Sequence, residues 1–293
     1  GNVGIGITSP SSILHVSTSG ANHIINNDSH NNVVVGTADT GNALTTGVHN
    51  ILYGSNNTGG SITEGSNNVG MGGSALEQLI SGQGNIGIGY NAGQSNTTAN
   101  YNVSVGNTCG NLTGLGNVAM GYYTLHGGGD GTYNVGLGYE AGKTLTSGDY
   151  NIAIGKSAMN GGATTGNNNI AVGTQAGDAL TSGHENVAIG YSAGGAATTV
   201  SQSVFIGAAA GSTVTTGNQN IAIGYDALNG ATTTGDNNIA IGVHAGDALT
   251  SGARNIFMGI DAGGAITTVG DTIAIGHYAL KEAVTSGDNV ALG

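Results

Sequence analysis

Eight histidines, 16 carboxylates and one cysteine are the side chains of this chain able to hold a metal, move a proton or attack a carbonyl, and their spacing decides what they do. Metal binding and acid–base work need such groups to converge, as a histidine pair or with a carboxylate at ligand spacing. His244 and His277 each follow a recurring glycine, one slot apart, while His49 and His184 precede the next apolar segment. These four share no slot, so the histidines read as surface turn residues. The run Gly127-Gly128-Gly129-Asp130-Gly131 has the composition of a calcium-binding nonapeptide turn, but such sites draw ligands from successive coils and the pattern occurs once. It reads as a flexible turn. Gly87-Ile88-Gly89 and Gly136-Leu137-Gly138 lack the following helix that a nucleotide fingerprint requires. The residues therefore predict no catalytic group, no metal and no cofactor, and the chain does not read as an enzyme.

Cys109 falls three residues after Gly106, where most other copies of the same stretch have alanine. That slot predicts a small buried residue, because a nucleophilic thiolate needs an electropositive, partly open site. A lone cysteine also excludes an intrachain disulfide framework. Tyr90, Tyr122, Tyr139, Tyr191 and Tyr225 directly follow closing glycines, and Tyr101, Tyr133 and Tyr150 directly precede a strand asparagine. Such rows stack on sugar rings or on their own neighbours from coil to coil; Tyr90, Tyr139, Tyr191 and Tyr225 are the candidates for glycan contact.

These residues hang on one short repeat. Asn-[Val/Ile]-x-[apolar]-Gly recurs in about sixteen copies, with closing glycines from Gly36, Gly54 and Gly72 through Gly155, Gly190 and Gly224 to Gly293, mostly 17 or 18 residues apart. An earlier copy, Asn2-Val3-Gly4-Ile5-Gly6, stands apart, so residues 1–30 read as a connecting segment and 31–293 as a continuous array. The first apolar slot is β-branched throughout, and two apolar residues flanking one other give the period of two of a strand with one buried face. The predicted ladders are Asn151, Ile152, Ile154 and Gly155, then Asn186, Val187, Ile189 and Gly190, then Asn220, Ile221, Ile223 and Gly224, with Ile and Val turned inward. A second element, Leu145-Thr146-Ser147-Gly148 or Leu249-Thr250-Ser251-Gly252, reads as a second short strand ending in a turn.

Two strands and two turns per unit make one coil of an all-β fold, a β-solenoid in the form of a flattened parallel β-roll. Fifty-eight glycines with a single proline exclude collagen, and regular Val and Ile exclude disorder. The net charge of −12 with four Lys and Arg gives nucleic acid and anionic membranes no electrostatic hold. Apolar stretches are too short for membrane insertion. Each coil brings few aliphatic residues, so one chain has a thin interior and small-residue faces that favour association; the expected assembly is a parallel homotrimer.

Units such as Asn151-Ile152-Ala153-Ile154-Gly155 and Asn186-Val187-Ala188-Ile189-Gly190 resemble the repeats of trimeric autotransporter adhesin heads, which are shorter. The longer form, Asn238-Ile239-Ala240-Ile241-Gly242 followed by Ala245-Gly246 and Leu249-Thr250-Ser251-Gly252, is more similar to repeats of phage tail fibres and related large surface proteins. The opening Gly1-Asn2-Val3-Gly4-Ile5-Gly6-Ile7-Thr8-Ser9-Pro10, with Leu14-His15-Val16, resembles a segment common in tail-fibre-like proteins. The resemblance implies a rigid trimeric shaft of a virion tail fibre or surface adhesin, extracellular, contacting a glycan or protein receptor on a host. Tail fibres often end in a self-cleaving chaperone domain; nothing in the chain matches it. The alternative reading is a self-assembling extracellular filament or cell-surface adhesin subunit. A third is an ice-binding solenoid built on the threonine column, although adjacent strand residues point to opposite faces.

Overall fold

The computed structural model describes residues 3–5, 14–16, 23–27, 30–282 and 286–293, the first three segments as backbone. Within them the chain is all-β, without helix, and forms a parallel β-solenoid of about 15–16 coils. Contacts divide it into two compact units, Gly1–Leu137 and Gly138–Gly293.

In the first unit, β1 (Val3–Ile5) and β2 (Leu14–Val16) pair in parallel as a small sheet of their own. The rest of the opening motif, residues 1–2 and 6–10, lies outside the described residues. β3 (His23–Asn27) pairs antiparallel with β4 (Asn32–Gly36), Ile25 opposite Val34. From β4 onward every pairing is parallel and in register, through β5 to β10 (Ile51–Gly54, Val69–Met71, Ile86–Ile88, Val103–Val105, Val118–Met120, Val135–Leu137). The second unit repeats the arrangement in β11 to β19 (Ile152–Ile154, Ile170–Val172, Val187–Ile189, Val204–Ile206, Ile221–Ile223, Ile239–Ile241, Ile256–Met258, Ile273–Ile275, Val290–Leu292).

The strands face the other way from the expectation. Ile152 and Ile154 are half-exposed and Ala153 between them is buried; Val187 and Ile189 flank buried Ala188, and Ile221 and Ile223 flank buried Ala222. The reason lies in the period of two. Asn, the middle slot and the closing glycine share one parity, the two aliphatics the other. Asparagine, which can satisfy its amide along the stack, takes the inner parity with the small residue, and the narrow coil leaves no room there for two branched side chains.

The opposite wall also differs. The Leu-Thr-Ser-Gly element is not a second strand among the described residues; only Leu145↔Thr164 and Val214↔Thr233 form isolated bridges. The wall is instead a stack of turns. Their backbone bonds run coil to coil, as from Gly211 N–H to the Ala227 carbonyl at 2.8 Å and from Thr198 N–H to the Thr215 carbonyl at 3.1 Å. Buried Ala176, Ala193, Ala210 and Ala227 line it three residues after each closing glycine.

The interior is filled by trade-offs between neighbouring slots. Phe205 occupies a middle slot where alanine is usual, and its ring fits because Gly194 and Gly211 flank it: a Cβ on either would stand 2.7 or 2.2 Å from a ring carbon. Conversely, buried Leu76 and Leu125 fill the space left by Gly87 and Gly136, where an added Cβ would stand 2.8 Å from the leucine Cγ. Close packing of this kind leaves each volume change to be compensated next door.

Candidate functional site

Two polar or steric columns fix the coils, and they explain most of the repeat. The strand asparagine is buried, and its amide is fully used. Asn169 Nδ2 donates to Asn151 Oδ1 at 3.0 Å and to the Gly183 carbonyl at 2.9 Å, and its backbone N–H donates to Asn151 Oδ1 at 3.0 Å. Asn186 bonds to Asn169 in the same way. At Ser203 the ladder narrows to one bond per step, the Ser203 N–H donating to Asn186 Oδ1 and the Asn220 N–H to Ser203 Oγ, each at 3.0 Å. The closing glycines form the second column: at Gly155, Gly190 and Gly224 an added Cβ would stand 2.6, 2.4 and 2.4 Å from the carbonyl oxygen of the next closing glycine, and φ lies between +123° and +135°. Only glycine fits.

With the asparagines inside, the aliphatic slots form a continuous outward stripe on each unit. In the second unit it is uncharged from Ile152 to Ile275, and Ile189, Ile206 and Met258 remain more than a third exposed. Tyr139, Tyr191 and Tyr225 stand beside it, Tyr191 being 60% exposed. Tyr139 lies 6.0 Å from Lys156 Nζ, and Tyr225 meets His244 edge-on at 5.5 Å between ring centroids. A hydrogen bond with Asp226 and the charge of that carboxylate push the Tyr225 phenol above its ordinary pKa. In the first unit Tyr90 is likewise exposed. Two of the tyrosines before the strands pack on the preceding coil: the Tyr101 and Tyr133 rings cover Gly84 and Gly116, where a Cβ would stand 2.8 and 2.7 Å from the ring.

The histidines are spread over separate turns. His244 Nδ1 lies 3.6 Å from Asp247 Oδ2, His184 Nδ1 3.1 Å from Ser201 Oγ, and His277 stacks on Tyr278 at 3.8 Å. Among the described residues no group of three His, Cys, Asp or Glu side chains could hold a metal ion. The glycine-aspartate run is tied to the coil before it, with the Thr113 N–H donating to the Gly129 carbonyl at 2.8 Å. Cys109 is a buried free thiol, and burial pushes its pKa up to about 12. The threonine column is used inside the fold: Thr181 Oγ1 donates to the Thr198 carbonyl and Thr198 Oγ1 to the Thr215 carbonyl, each at 3.0 Å.

A feature missed in the sequence is a notch of about 320 Å³ on the turn wall of the second unit, lined by Gln175, Asp178, Ser192, Gly195, Ala196 and Ser212. It opens where Gly195 and Ala196 stand between coils carrying Asp178 and Ser212. Burial pushes the Asp178 carboxyl above its ordinary pKa, opposed by a hydrogen bond from the Asn160 backbone. The signal that reveals it is a longer period, 69 residues from Gly173 to Gly242, over which Asp178, Gly195 and Ala196 recur as Asp247, Gly264 and Ala265. The two isolated bridges and the aliphatic exceptions Val200 and Val269 keep the same step. The short repeat masks this period because its own slots match at every coil.

No helix among the described residues is long and apolar enough to cross a membrane. Compared with protein-family models and with curated proteins, the chain matches none.

Proposed function

We propose that the chain is a structural and adhesive fibre segment, the rigid shaft of a virion tail fibre or related surface adhesin, assembled as a parallel homotrimer. The observation that carries this reading is the outward Ile/Val stripe. A sheet face that is apolar, uncharged and regular over many coils is a liability in water and marks an interaction surface. In-register coils make the same face repeat along identical chains, so a second and third copy cover it with matching side chains. The exposed tyrosines beside the stripe remain outside such an interface as candidate contacts for a host glycan or protein receptor. The Asn ladder and glycine column give the stiffness a shaft needs, and the sequence resemblance to tail-fibre repeats points the same way.

Pairing at the start of the array argues against the filament alternative. β3 covers the first edge of the array in the antiparallel sense, so that edge does not offer itself to a parallel strand of another chain. Electron microscopy of the purified full-length protein tests the proposal: rods of one fixed length with threefold symmetry are expected, and open-ended filaments growing with concentration would favour the alternative.

A further inference from the structure

The notch around Asp178 and its counterpart four coils on differ in one informative way. At the counterpart, position for position, Gln175 is replaced by His244, Ser192 by Asp261 and Ser212 by Lys281, while the aspartate, glycine and alanine are kept. There the aspartate has an imidazole on its own wall, His244 Nδ1 lying 3.6 Å from Asp247 Oδ2. In the first notch the same position holds Gln175, which carries no charge. The Ser212 hydroxyl there donates its proton to Asn229 Oδ1, leaving its lone pairs free to face the notch. The first notch is thus lined by one acceptor-only carboxylate together with the Gln175 amide and two hydroxyls, with no positively charged side chain among them.

We infer that the Asp178 notch binds a primary ammonium group, of the kind carried by lysine side chains and by amino sugars. An ammonium offers three donors and a positive charge to a site that offers acceptors and one carboxylate half-removed from water. The chain's net charge of −12 raises the local concentration of cations around it. The counterpart seats a side chain of its own, the His244 imidazole, against its carboxylate; in the first notch that place is left to a group from outside. The inference concerns the turn wall and stands whether or not the chain assembles as a trimer.

The test is a titration of the full chain with Nα-acetyl-lysine methylamide and with glucosamine, followed by isothermal calorimetry and by the Asp178 side-chain carbon resonance, with N-acetylglucosamine as the uncharged control. Millimolar binding is expected for at least one ammonium probe, weakened about tenfold by Asp178→Asn and several-fold by Gln175→Lys, which sets an ammonium of the chain's own beside the carboxylate. Binding of the lysine probe alone identifies a protein side chain as the source, and binding of glucosamine alone an amino sugar. Equal binding of N-acetylglucosamine, unchanged affinity in Asp178→Asn, or no resonance shift with either probe up to about 50 mM would overturn the inference. Thermal melts of both variants, expected to match the parent, separate loss of the site from loss of the fold, and sedimentation reads the assembly independently.

Discussion

Asn238 Nδ2 donates to Asn220 Oδ1 at 3.1 Å, the same oxygen that accepts the Asn238 backbone N–H at 2.8 Å. Nδ2 also reaches the Gly252 carbonyl at 3.0 Å, and Asn238 Oδ1 in turn accepts from the Asn255 N–H and Nδ2, each at 3.0 Å. One buried side chain thus closes its own coil and joins the coils on both sides. Asn238→Ala leaves several of these groups buried without partners, for an expected loss of about 3 kcal/mol. Asn238→Ser keeps the single acceptor seen at Ser203 and costs less. Urea unfolding of the two variants checks the order; equal losses would contradict the ladder account.

Gly211 and Phe205 form a second dependent pair. Gly211 has φ +59°, and its Cβ would stand 2.2 Å from the Phe205 ring. Gly211→Ala should cost roughly 3 kcal/mol, part backbone strain and part overlap. Adding Phe205→Ala removes the overlap but not the strain, so the double variant recovers about 1–2 kcal/mol of the sum of the singles. Strict additivity in a double-mutant cycle would mean the two side chains do not share the space.

Cys109 gives a pH signature. Its folded pKa of about 12 lies above the ordinary thiol value of 9.0, raised by burial, so the folded state holds the thiol proton more tightly than the unfolded state. This stabilising contribution is complete below about pH 9 and is lost as pH rises toward the folded value, at about 1.4 kcal/mol per pH unit. Cys109→Ala, the residue usual in that slot, should remove this share of the alkaline loss, which the difference between parent and variant melts isolates from the tyrosines. The native thiol should also resist iodoacetamide at pH 8 and react on unfolding.

The outward stripe predicts an assembly defect without a folding defect. Ile189→Asp combined with Ile223→Asp places two carboxylates on the proposed interface, in half-exposed positions that the coil interior does not use. Loss of the trimer with a retained β-type circular dichroism spectrum is expected. Unfolding of the double variant as a monomer would instead mean that the stripe belongs to the core of a single chain.

The solenoid itself was legible in the sequence, because a 17- or 18-residue period with Asn, a β-branched pair and Gly leaves few other folds. The facing of the strand was not. Hydrophobicity put Ile152 and Ile154 inside, whereas the parity they share excludes Asn151 and Ala153, and an asparagine that pairs with its own copies outcompetes a branched aliphatic for a narrow interior. The Leu-Thr-Ser-Gly element looked like a strand because its composition suits one, but tight turns before and after it leave only the bridges at Leu145 and Val214. Left-handed backbone also fell where composition did not announce it, at Gln219 with φ +57° and Arg254 with φ +60°, since the corner before each asparagine is set by the stack and not by the residue. The notch at Asp178 was hidden for a related reason: it depends on which residues are missing beside it.

Sedimentation equilibrium of the intact chain tests the central claim most directly. The account predicts a single species with the mass of three 28.4 kDa chains, persisting on dilution to low micromolar concentration. A stable, folded monomer of 28.4 kDa with its Ile/Val stripe open to water would contradict it.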